Sequence, residues 1–122
     1  MLYLVRMNLV DSARPSTADD GVNFIEEYIL PTLDLCKKLQ EQKRIVAGGP
    51  VSGAVALVLL VSAESPRELD DLLTSLPVWS RMQTEVTPLT TFDARAQSLR
   101  PRLDQLKGQA RVTRMPARGG SR

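Results

Sequence analysis

Apolar and polar positions alternate with period two along residues 2–9. Tyr3, Val5, Met7 and Leu9 make one face, and Leu2, Leu4, Arg6 and Asn8 make the other, which turns polar towards its end. This period predicts a strand. Residues 10–18 hold Asp11, Ser12, Pro15, Ser16 and Thr17, a loop composition. From Asp19 or Asp20 to Lys43 the spacing becomes helical, with an acidic first turn and a stripe of Val22, Ile25, Ile29, Thr32, Cys36 and Leu39 flanked by Tyr28, Leu33 and Leu35. Pro31 removes a backbone donor inside that pattern, which predicts a kink or split near Glu27. A second strand follows at Arg44 to Val51, interrupted by a bulge or turn at Gly48-Gly49-Pro50. The nearly continuous apolar run Ala54 to Ala63 has the character of a central strand buried on both faces. Ser65-Pro66-Arg67-Glu68 is a capping box with proline at the first helical position, and Leu69, Leu72, Leu73 and Leu76 form the buried stripe of the helix that it starts. Past Leu76-Pro77 and Trp79, a fourth strand at about Arg81 to Thr90 sets Met82, Thr84 and Val86 against Gln83, Glu85 and Thr87. A last helix, roughly Asp93 to Lys107, has a weak seam of Ala94, Leu99, Leu103 and Leu106 and is interrupted by Pro101.

The order β-α-β-β-α-β predicts an α+β fold, the ferredoxin-like plait, with an antiparallel sheet ordered 4-1-3-2 and both helices on one face. Strands one and four are then neighbours. If Tyr3, Val5 and Met7 face the helices, Arg6 and Asn8 face away, and Glu85 joins Arg6 on that side. Leu2, Leu4, Leu57 and Leu59 are expected to make the rest of that side apolar. Such an open face calls for a partner, and two plaits packed face to face give a dimeric α/β barrel. The expected organisation is a plait at 1–91 and an extra C-terminal helix with a basic tail at 92–122.

Composition narrows the chemistry. With 122 residues, 43% apolar and 25% charged, the chain has the balance of one soluble domain. It has no histidine, the commonest metal ligand and general base, so acid–base work falls to carboxylates, Tyr, Lys, Arg or water. A single cysteine allows no internal disulfide or multi-cysteine metal site, and Cys36 on the helical stripe reads as a small core residue. The net charge of +2 divides unevenly. Residues 109–122 carry Arg111, Arg114, Arg118 and Arg122 without an acid, which leaves −2 on the rest. The tail has few aromatics and no regular spacing, so it reads as solvated or subunit-packing rather than as a nucleic-acid site. The chain opens on a strand-like run without a basic n-region, and its longest apolar run is too short to cross a bilayer. A cytoplasmic location without membrane contact is expected.

The opening MLYLVRMNL, the segment Leu35-Cys36-Lys37-Lys38-Leu39-Gln40 and above all LLTSLPVWSRMQTEVTPL at Leu72 to Leu89 resemble the muconolactone isomerase family. That family has an aromatic third and a basic sixth residue on its first strand, and a pattern of helix, Leu-Pro-aromatic, Met, Glu-Val and Leu. The resemblance spans about residues 1–91. It implies a cofactor-independent isomerase that moves a proton within an unsaturated lactone or related cyclic acid, acting in the catabolism of aromatic compounds as a homodimer or higher homo-oligomer. Arg6 matches the basic strand-one position and Glu85 the strand-four glutamate, so both are expected to be catalytic: Glu85 as base, Arg6 as clamp for a substrate carboxylate. Tyr28, Trp79, Asn8 and Arg44 are the expected substrate-binding residues. Where the family carries Trp, Arg and His around the second strand, this chain has Arg44 to Gly49, and only Arg44 there supplies charge. Arginine in place of lysine at residue 6 can orient a carboxylate but not shuttle a proton. A second reading stays open: a non-catalytic oligomeric ligand-binding or structural module, with Arg6 and Glu85 as a salt bridge.

Overall fold

Strand β1 (Leu2–Leu9) is hydrogen-bonded on both sides, to β3 (Ala56–Ser62) and to β4 (Met82–Leu89). The computed structural model describes residues 1–118, with side chains through residue 111. Strand β2 (Ile45–Pro50) pairs with the far side of β3, so the antiparallel sheet runs β2-β3-β1-β4, the order that the plait requires. Tyr3, Val5 and Met7 are buried, while Leu2, Leu4 and Arg6 are exposed. Opposite Val5 and Met7 lie Leu59 and Leu57, both buried on the helix side. The expectation that Leu57 and Leu59 belong to the open face is therefore wrong. Val58 and Leu60, opposite Arg6 and Leu4, take those places. A run that is apolar at every position carries no phase, and only its pairing with β1 supplies one. The strand irregularity in β2 falls at Val46, between Ile45 and Ala47, rather than at the glycines. Gly48 has φ 127° and lies so close to β3 that a Cβ would collide with the Val58 carbonyl oxygen.

The helix layer contains α1 (Ala18–Phe24), α2 (Leu30–Glu41) and α3 (Pro66–Thr74). Thr17 caps α1 by accepting the Asp20 N–H, and Ser65 caps α3 by accepting the Glu68 N–H, both at 3.1 Å. Leu69, Leu72, Leu73 and Leu76 are all buried, as the stripe of α3 predicts. The long first helix is split near Glu27 by a π-helical turn at Ile25–Ile29, with Pro31 at the start of α2. The wider turn shifts the phase. Phe24 is the buried residue of α1, and Val22 and Ile25, expected on the core stripe, are exposed.

Thr32 is the buried polar residue of this core. Its hydroxyl donates to the Tyr28 carbonyl at 2.6 Å and accepts the Val78 N–H at 3.0 Å. One side chain thus serves the irregular turn and ties α2 to the Pro77-Val78 corner that leads into β4.

The chain divides into two compact units, Met1–Leu89 and a second from Thr90 onward. The second unit is one helix, α4 (Phe92–Arg118), which runs through Pro101 rather than stopping there. Proline removes one intrahelical bond, and on an exposed helix water can donate to the carbonyl left free, so the helix continues. Arg122, and the side chains of Arg114 and Arg118, lie outside the described residues. Among the described residues no helix is long and apolar enough to cross a membrane.

Thr32→Val should lower unfolding free energy by about 1–3 kcal/mol, because it leaves the Val78 N–H buried without an acceptor. Thr32→Ser should recover most of that loss. Urea unfolding with an unchanged slope is the check, and a neutral Thr32→Val would remove the role given to this hydroxyl.

Candidate functional site

Alternation along β1 and β4 decides which side chains share the open face. Arg6 stands directly opposite Glu85, Leu4 opposite Thr87, Leu2 opposite Leu89 and Asn8 opposite Gln83. Facing residues on antiparallel strands have Cβ atoms about 4.5–5.5 Å apart. Arg6 and Glu85 are both exposed, and among the described residues the ion pair that forms is Arg14 with Asp11 at 3.3 Å, not Arg6 with Glu85. Each charge is therefore available to a third group. Val58 and Leu60 on β3, with Leu2, Leu4 and Leu89, make the surroundings of this pair apolar.

Of the other expected site residues, Asn8 shares this face and the rest lie elsewhere. Asn8 is half-buried near the end of β1 and lines a hollow of about 470 Å³ with Arg14, Gly53 and Val55. Trp79 is exposed in the 3-10 turn Trp79–Arg81. Tyr28 belongs to the helix layer, where its ring lies 4.3 Å from the Arg81 guanidinium carbon and its hydroxyl accepts from Arg81 Nη2 at 3.3 Å. Phe24 packs 5.9 Å from the same ring. Arg44 immediately precedes β2, on the opposite sheet edge from β4, so about 14 Å of sheet separates the two strands. The fold brings Arg6 and Glu85 together and leaves Tyr28 and Arg44 apart from them.

A cavity of about 480 Å³ lies on the helix side of the sheet, within the size range of small-molecule sites. Leu9, Phe24, Ile29, Leu57, Val78 and Met82 line it, and Arg14 is the ionisable residue among its lining residues. The cavity offers an apolar compartment with one cation and no carboxylate base. Arg14 and Arg81 were not among the expected site residues: Arg14 lies in a loop, and Arg81 stands at the edge of the fourth strand, just before its alternating residues begin. Cys36 is half-buried, and burial pushes its thiol above the usual range, which fits a packing role rather than a nucleophile.

The model of the muconolactone delta-isomerase family matches residues 1–95. The chain belongs to this family. Among solved structures, it resembles a muconolactone isomerase at 23% identity and a TM-score of 0.61, over 75% of this chain and 90% of that one. It also resembles a 5-chloro-2-hydroxyhydroquinone dehydrochlorinase from Burkholderia phenoliruptrix, solved with 2,5-dihydroxybenzoquinone. The identity there is 20% and the TM-score 0.53, over 77% of this chain and 98% of that one. No curated protein sequence matches the chain significantly. These likenesses bear out the α+β plait. Family membership bears out the resemblance carried by the first strand and by Leu72 to Leu89.

Arg81→Leu removes both the cation–π contact and the hydrogen bond to Tyr28, so it should cost about 0.5–2 kcal/mol. Thermal unfolding of Arg81→Leu, Tyr28→Leu and Arg81→Leu/Tyr28→Leu should show coupling between the two positions. Strict additivity would mean that the contact contributes nothing.

Proposed function

We propose that this protein is a cofactor-independent isomerase that moves a proton within a small unsaturated lactone or related cyclic acid. Glu85 is the base that takes a proton from one carbon and returns it to another as the double bond shifts. Arg6 holds a substrate carboxylate and stays charged throughout. The observation that carries this reading is the direct opposition of Arg6 and Glu85 on the exposed sheet face, in a chain of the muconolactone delta-isomerase family. Such chemistry needs a carboxylate and a cation within one substrate's length, and no further group to move electrons. Trp79 and Asn8 are proposed to contact substrate at the edge of this face, while Tyr28, in the helix layer, and Arg44, at the far sheet edge, are given no part in it.

The same face explains why a second copy is needed. Leu2, Leu4 and Leu89 are exposed on it. Burying one leucine contributes roughly 1.5–3 kcal/mol, so two faces packed together form a dimeric barrel and screen the charged pair from bulk water.

A second reading rests on the cavity. It has ligand-sized volume, an apolar lining and Arg14, but no base. A non-catalytic module that binds a small apolar acid would need no more than this.

Glu85→Gln should lower turnover of carboxylated unsaturated lactones by roughly 10²–10⁴-fold with little change in fold, since it keeps shape and removes the base. Arg6→Met should chiefly raise KM. Steady-state assays over a panel of such lactones test both, and light scattering should give at least a dimer at micromolar concentration. Activity unchanged in Glu85→Gln would exclude Glu85. No turnover on any lactone, with binding that depends on Arg14, would favour the module.

A further inference from the structure

Helix α4 carries an apolar seam of its own. Ala96, Leu99, Leu103 and Leu106 recur at spacings of three, four and three, the a/d repeat of a helix that packs along a narrow line on another helix. The three leucines are about half exposed. With Ala96 as an a position, Arg95 and Arg102 are g positions and Arg100 and Lys107 are e positions, so both flanks of the seam are basic. Two α4 helices side by side would set these like charges against each other in either orientation, so α4 is poorly matched to another α4. Three leucines on so narrow a line also make a weak anchor for a bilayer surface, where helices present a wide apolar face with bulky residues. The seam calls for a helical surface with exposed aliphatics and acidic flanks.

This chain has such a surface. Residues 18–36 hold Asp19, Asp20, Glu26, Glu27 and Asp34 and no Lys or Arg, and all five acids are exposed. Val22, Ile25 and Leu30 of the same stretch are 54%, 50% and 51% exposed. The π-turn aligns them. The Leu30 N–H donates to the Ile25 carbonyl, which sets Leu30 directly beyond Ile25. In an unbroken α-helix these two residues would point about 140° apart. Glu26 lies beside this aliphatic stripe, and Asp34 lies one turn beyond Leu30.

We propose that α4 of one copy docks on the acidic, aliphatic stripe of α1 and α2 in a second copy. Leu99, Leu103 and Leu106 would meet Val22, Ile25 and Leu30, with arginines and lysine of one copy beside the carboxylates of the other. Most of α4 lies beyond the family match, which ends at residue 95, so this contact belongs to this chain's own extension. It uses a different surface from the sheet-face dimer and would join such dimers into larger assemblies.

Sedimentation velocity of the full chain at low salt tests the contact, with Arg100→Glu/Lys107→Glu, Glu26→Arg/Asp34→Arg and all four changes combined. All four positions are exposed, so the fold should survive, as circular dichroism would verify. Wild type should form species larger than two chains that shrink as salt rises. Each double variant should weaken that assembly by at least about tenfold, and the fourfold variant should restore it. In a Leu4→Glu background the sheet-face dimer should be lost while the association sensitive to α4 persists, so failure of one contact is distinguishable from failure of the other. The proposal is overturned if wild type never exceeds two chains, if neither reversal changes its mass, or if the combined variant fails to recover. Flotation of wild type with phosphatidylserine vesicles, without larger species in their absence, would equally overturn it in favour of a membrane surface.

Discussion

The rest of the sheet depends on a constraint in β1, one face of which must be dry. Tyr3, Val5 and Met7 sit under the helix layer, and a slip of one residue would exchange them for Leu4, Arg6 and Asn8. The slipped register would put the Arg6 guanidinium into an apolar core without a partner, at a cost of several kcal/mol. Both β3 and β4 are hydrogen-bonded to β1, so its register fixes theirs. The opposition of Arg6 and Glu85 follows from that packing requirement, before either residue does any chemistry. The charges at this position are thereby set by β1, whose other face is locked in the core.

Strand β1, the capping box at Ser65 and the leucine stripe of α3 were legible because each writes its burial into its own spacing. The antiparallel order of the sheet followed from the sequence of elements. Three features were not legible. Strand β3 is apolar at nearly every position, so Leu57 and Leu59 could be assigned to either face until β1 fixed the phase. The first helix revealed a break through Pro31, but not that the break is a π-turn which rotates Val22 and Ile25 to the surface. Pro101 was expected to interrupt the last helix, which instead runs unbroken from Phe92 to Arg118. Among the candidate site residues, the pairing of Arg6 with Glu85 could be read from alternation plus strand order. The cavity could not, because its walls come from all four strands, from α1, the π-turn and α2, and from several loops, none of which carries a motif.

Two compartments thus lie on opposite sides of one sheet. The open face offers a carboxylate and a cation in register, and the helix side offers an apolar cavity with a cation at Arg14. Proton transfer between carbons needs the first kind of environment, because a base must reach the carbon acid. In the proposed reaction, arginine at residue 6 keeps its proton, so proton transfer falls to Glu85. The π-turn links the two sides of the account. It places Thr32 where its hydroxyl supports the corner before β4, and it turns an acidic, aliphatic surface outward.

The most direct measurement of the central claim follows the proton itself. A carboxylated unsaturated lactone incubated with enzyme in D₂O is monitored by NMR for deuterium at the carbons on either side of the shifting double bond. With wild type, the account predicts isomerised product, deuterium wash-in wherever the bound proton exchanges with solvent, and loss of both isomerisation and wash-in for Glu85→Gln. Isomerisation and label that proceed equally in Glu85→Gln would contradict it and move the base away from the open face of the sheet.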